Sequence, residues 1–379
     1  MDMSITTLRD MLKDDRCDLD EVITMVVNNT LPNELRSILW RIQLGILPKD
    51  KHYSEWVEII QKERKIFDSL INDQDIQNYL KVIRKESDVD ILPSGELFND
   101  FKLIKESILQ IPGTSHDFFK SESVQETFLT LYIIWKKNNP NIITKNLQPF
   151  NILAGLIYCL YPSILHHTYD PIEIKGKEDI DVRTLYYFLN DEEYFDSDVY
   201  LIFDTIMKSE QILKNINNFE NENWQDVEFI KEKIVFKENL FPLSEESKGL
   251  ISKLNRCERI GYLYLKIVNE GLLNNLINNK IPFLFYIQSL YSTLLICSIP
   301  FENLSYLWDN IFTFSDVESP VSFSFLDFVI LSLFNNLHEA YLHNLQEVPL
   351  KYPEHKLDSK RILGKALKFK EKILEELDL

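Results

Sequence analysis

Apolar residues recur three and four positions apart along most of this chain. Leu8, Met11 and Leu12 begin the pattern, and Val22, Ile23, Val26 and Val27 continue it. Leu35, Ile38, Leu39 and Ile42 follow, and much later Ile260, Leu263, Ile267, Leu272, Leu273 and Leu276. This spacing places them on one face of a helix, because successive residues advance 100° around the axis. A strand would need alternation of period two. Only 9 of the 379 residues are glycine, too few for the turns of a β sandwich or for a glycine-rich nucleotide loop. The expected class is all-α. No helical unit repeats at a fixed period, which argues against a stacked solenoid.

The sequence has material for a large core. Hydrophobic residues make up 45% of it, including 24 Phe and 17 Tyr. The formal charge of −18 comes from 59 acidic and 41 basic residues. Such a surface disfavours non-specific nucleic-acid binding and simple attraction to anionic lipid. The N-terminus carries Asp2, Arg9, Asp10 and Asp14 and no apolar stretch of signal-peptide length. Cys17, Cys159, Cys257 and Cys297 are far apart, so no Cys-x-x-Cys site exists; Cys159 and Cys297 lie in apolar runs and are expected as buried thiols. This usage fits a reducing compartment. His166-His167 lacks a third ligand at useful spacing, so no metal is expected. The charge-free run Ile281–Phe301 has the length of a spanning segment. Gln288, Ser289, Ser292, Thr293 and Ser298 interrupt it, so it is expected as a buried core helix with no integral membrane segment.

Punctuation divides the chain. Residues 1–28 read as an N-terminal helical extension of one or two short helices. Pro32 leads into a helix with Asn33 as its cap, and Gly45 and Pro48 stop it. Residues 86–100 read as a loop, Phe98–Leu109 as a helix, and a further helix runs from Asp117 to about Lys137. The apolar segment opened at 146–155 ends near Leu165, with a core helix from Ile152 to Leu160. Residues 185–213 are helical around an interruption, and 214–247 form a polar insertion rich in Asn, Glu and Lys. The main domain spans 29–345, and 346–379 form a helical tail.

Three segments in order resemble a known family. Asn146-Leu147-Gln148-Pro149-Phe150-Asn151-Ile152-Leu153-Ala154-Gly155 is similar to the pattern Tyr-x-Gln-Gly-Met-Asn-x-Leu-Ala-Gly of TBC domains. Gln148, Asn151, Leu153, Ala154 and Gly155 agree. Pro32, Leu35, Arg36, Trp40, Leu44 and Gly45 match the opening of such domains, and Pro300, Trp308, Asp309 and Phe312 match a later segment. The resemblance implies an all-α TBC-type domain of two helical halves. It also implies a Rab-type small GTPase as partner, and a cytoplasmic protein that can be peripheral on endomembranes. The protein itself would need no cofactor, since the GTPase carries GTP and Mg²⁺.

The resemblance also assigns roles. In the family an arginine in Ile-x-x-Asp-x-x-Arg stabilises transition-state charge, and a glutamine orients the attacking water. Here Ile104 agrees, Ser107 stands for the aspartate, and Gln110 stands for the arginine. No arginine occurs from Lys85 to Val182. Gln148 stands at the glutamine position, but Asn146 replaces the tyrosine before it and Pro149 the glycine after it. Proline pushes the preceding residue away from α geometry. Ile104, Ser107, Asn146 and Asn151 would line the GTPase-docking groove; Arg36, Trp40, Trp308 and Asp309 would be structural. Two readings follow: a weak or inactive GTPase activator, or a non-catalytic TBC scaffold for a small GTPase or another protein.

Overall fold

The computed structural model describes residues 2–12, 17–83, 116–140, 149–164, 180–208, 256–279, 281, 283–296, 298–315, 325–341 and 357–376. Their regular elements are helices, the class expected from the periodicity. They fall in two compact units, one of the residues up to Lys208 and one of those from Arg256 on. The expected helix at 98–109, the 214–247 insertion, His166-His167 and Cys297 lie outside the described residues. Among those residues, no helix is long and apolar enough to cross a membrane.

The first unit contains α1 (Asp2–Met11), α2 (Asp20–Asn28), α3 (Asn33–Gln43), α4 (Tyr53–Ile71) and α5 (Gln74–Ile83). It continues with α6 (His116–Lys120), α7 (Glu122–Asn138), α8 (Pro149–Leu160), α9 (Val182–Leu189) and α10 (Phe195–Lys208). The single helix expected from 117 to 137 is thus divided at Ser121. Asn29 (φ 58°) and Gly45 (φ 75°) end α2 and α3 in left-handed geometry. In each case the next residue's N–H reaches back to the last turn: Thr30 to the Met25 carbonyl at 2.9 Å, and Ile46 to that of Arg41 at 2.8 Å. Asn33 does not cap α3 as expected. The helix starts on it, after Pro32, and its Oδ1 accepts from Arg36 Nη1 at 2.8 Å. The side chain is used inside the first turn and is lost to the free N–H groups.

Helix α8 lies against α3, α7 and α10. Of its twelve residues only Phe150 and Tyr158 escape burial. Pro149 is its first residue. That place suits proline, whose missing N–H would have had no partner in the helix anyway. Leu8 of α1, Leu39 of α3, Trp56 of α4 and Leu185 of α9 share one apolar cluster, so the segment before residue 29 is packed into this unit's core.

The second unit begins with the turn Arg256–Glu258 and a π-helical segment, Arg259–Tyr264, that runs into α11 (Leu265–Asn278). Then come α12 (Phe283–Ser292), α13 (Phe301–Phe314), α14 (Phe325–Tyr341) and α15 (Ser359–Glu376). Ile362, Leu363, Ala366 and Ile373 of α15 are buried, and this helix packs on α11, α13 and α14. Gly261 allows the π segment to approach α12. A Cβ there would lie 2.4 Å from Leu284 Cδ2 and 2.9 Å from Phe283 Cε2.

The described residues of the run Ile281–Phe301 are mostly buried but do not form one helix. Helix α12 stops at Ser292, and Leu294 (φ 46°) and Leu295 (φ 74°) turn left-handed. The Leu295 N–H donates to the Leu290 carbonyl at 2.9 Å, and the Leu294 N–H to that of Tyr291 at 3.1 Å. This is the same ending that Asn29 and Gly45 make, built here on leucine. Burial of both leucines, 1% and 0% exposed, offsets the unfavourable backbone.

Candidate functional site

Of the residues singled out by sequence, Ile104, Ser107, Gln110, Asn146 and Gln148 lie outside the described residues. Asn151 is described: it sits in the first turn of α8 and is 5% exposed. Arg36 is equally buried, and Trp40 is 0% exposed. Trp308 is buried in α13 and donates from Nε1 to the Leu294 carbonyl at 2.9 Å. That bond satisfies a carbonyl at the left-handed turn. Asp309, next along, is also buried.

Beneath α8 the first unit holds a buried charge cluster on Asp198 of α10. Arg64 donates to it from Nε (3.2 Å to Oδ1) and from Nη2 (2.8 Å to Oδ2). Arg41 donates from Nη2 to Oδ2 at 3.0 Å. Further bonds run from Arg64 Nη2 to the Phe188 carbonyl (3.0 Å), and from Arg41 Nη2 to the Leu189 carbonyl (3.1 Å) and Ser37 Oγ (2.7 Å). The Arg64 guanidinium lies between the rings of Phe188 and Tyr194, 4.5 and 4.1 Å from their centroids. This geometry suits a planar cation and would not suit lysine. Burial pulls the Arg41 pKa down and Asp198 opposes that pull. The cluster ties α3, α4, the end of α9 and α10 together around the helix that follows position 148.

Sequence reasoning missed this cluster, although one signal was present. Arg64 occupies the place after Trp56 and Ile60 on the buried stripe of α4. A charge at such a position demands a buried partner. The second unit repeats the arrangement: Arg256 Nε donates to Asp327 Oδ1 at 2.7 Å, with the guanidinium 4.8 Å from the Tyr291 ring centroid. Asp327 lies between Leu326 and Phe328 in an otherwise apolar stretch.

An aromatic cluster borders the far end of α8. Phe118 meets Phe119, Tyr158 and Tyr161 edge-on at 5.0, 5.5 and 5.2 Å, and Tyr161 meets Phe195 at 6.0 Å. Tyr161 is 39% exposed. Such contacts fix the turn that follows α8. Cys159 is buried and forms no disulfide, as expected. Among the described residues no group of three His, Cys, Asp or Glu could hold a metal ion.

No protein-family model matches the chain. Bovine TBC1 domain family member 7 is 32% identical over 92 residues, covering 24% of this chain and 28% of that protein. Human TBC1 domain family member 5 is 22% identical over 323 residues, covering 82% of this chain and 38% of that protein. The chain thus spans well under half the length of these curated relatives. The crystal structure of the Ypt/Rab-GAP domain of Gyp1p aligns with a TM-score of 0.56 at 15% identity, covering 97% of this chain and 98% of that one. The full-length structural likeness shows the fold. The chain has the fold of the Ypt/Rab-GAP domain and is similar in sequence to TBC1 domain family members.

Proposed function

We propose that this chain regulates a Rab-type small GTPase in vesicle trafficking, docking it while accelerating GTP hydrolysis weakly or not at all. The observation that carries the weak activity is Gln110, in a stretch free of arginine from Lys85 to Val182. Glutamine is neutral and lacks the guanidinium fork that stabilises phosphoryl-transfer charge. An arginine finger contributes about 10³–10⁵ in rate. Gln148 remains a group that can orient water, and Ile104, Ser107 and Asn146 belong to the docking surface, whereas Asn151, expected there too, is buried. GTP and Mg²⁺ are carried by the partner, and the site of action is the cytoplasmic face of endomembranes.

The test is single-turnover GTP hydrolysis across a panel of small GTPases. The expected result is binding to at least one member with little stimulation. Gln110→Arg, combined with Ser107→Asp, should raise its hydrolysis by about tenfold or more. Strong stimulation by the unmodified protein that survives Gln148→Ala would sink the proposal, as would failure to bind any member of the panel. A non-catalytic scaffold is the second reading, favoured by Pro149 beside Gln148; it predicts binding with no gain from the restored arginine.

A further inference from the structure

We draw no further inference here: the strongest candidate, the partly exposed aromatic face that Phe118, Tyr158, Tyr161 and Phe195 form at the far end of α8, is an unpartnered apolar surface, and nothing in the structure shows what covers it.

Discussion

Replacing Asp198 by asparagine keeps the shape of the side chain and removes its charge. The carboxylate accepts three hydrogen bonds from Arg41 and Arg64, at 2.8, 3.0 and 3.2 Å, in a site where both arginines are at most 4% exposed. Breaking one buried pair costs about 3–5 kcal/mol, because the remaining partner is left charged and dry. Here two guanidinium groups lose the same anion, so the upper part of that range is expected, about 4–5 kcal/mol. For a unit of this size each kcal/mol moves the midpoint by about 2–4 °C, giving a fall of roughly 8–20 °C. Thermal and urea unfolding followed by circular dichroism would measure it, with hydrogen exchange in α10 reporting where the loss begins. A second variant separates charge from packing. Converting Arg41, Arg64 and Asp198 together to apolar residues of similar volume should recover most of the loss, since buried ion pairs seldom outperform apolar packing. An Asp198→Asn protein that melts within about 2 °C of the parent would refute the argument, since a shift that small means about 1 kcal/mol or less.

Other outcomes follow from single contacts. Gly261→Ala should destabilise the second unit by about 1–2 kcal/mol in urea titration: the new Cβ meets Leu284 at 2.4 Å, and the better helix propensity of alanine offsets only part of the overpacking. Trp308→Phe should cost about 1–3 kcal/mol, because it leaves the Leu294 carbonyl buried without its donor; calorimetry on the full chain checks this. Asp181 caps α9 by accepting from the Thr184 N–H at 2.6 Å, and that bond holds its pKa below the ordinary value. With the folded pKa depressed, its contribution is present above the unfolded value near 3.9 and is lost as pH falls through the folded one. Asp181→Ala should therefore cost about 1 kcal/mol at neutral pH and much less at pH 2, read from urea midpoints.

The three helix ends in left-handed geometry explain what sequence could and could not show. Gly45 announces its ending, and Asn29 is a tolerated second choice, because both residues reach positive φ cheaply. Leu294 makes the same ending with no local preference for it. The turn there is held by burial and by a bond from Trp308, fourteen residues on. Reading the run from 281 to 301 as one helix followed local chemistry, whereas the fold followed tertiary contact. The charge cluster has the same lesson. Arg64 on an apolar stripe could be seen to need a partner, but Asp198 lies 134 residues away and no local pattern connects them. Asn33 is the converse: a good cap by type, diverted by Arg36 one turn later. Of the residues expected to line a docking groove, only Asn151 is among the described residues, and there it is part of the core.

The kink at Asn269 has a consequence for synthesis. Asn269 departs from helical geometry (φ −157°, ψ 75°) and reopens the helix by accepting from the Leu272 N–H at 3.0 Å. Its amide donates to Asn335 Oδ1 at 2.8 Å, and the Ile267 carbonyl next to the break accepts from Lys372 Nζ at 2.7 Å. The break is thus sealed by residues made 66 and 105 positions later. At about 5–20 residues per second, the ribosome takes roughly 5–20 seconds to deliver Lys372 after Ile267. Over that interval the apolar faces that α15 covers on α11, α13 and α14 have no cover from it. A nascent chain paused before residue 359 should therefore be a chaperone client, while the elements up to Lys208 have already emerged from the ribosome.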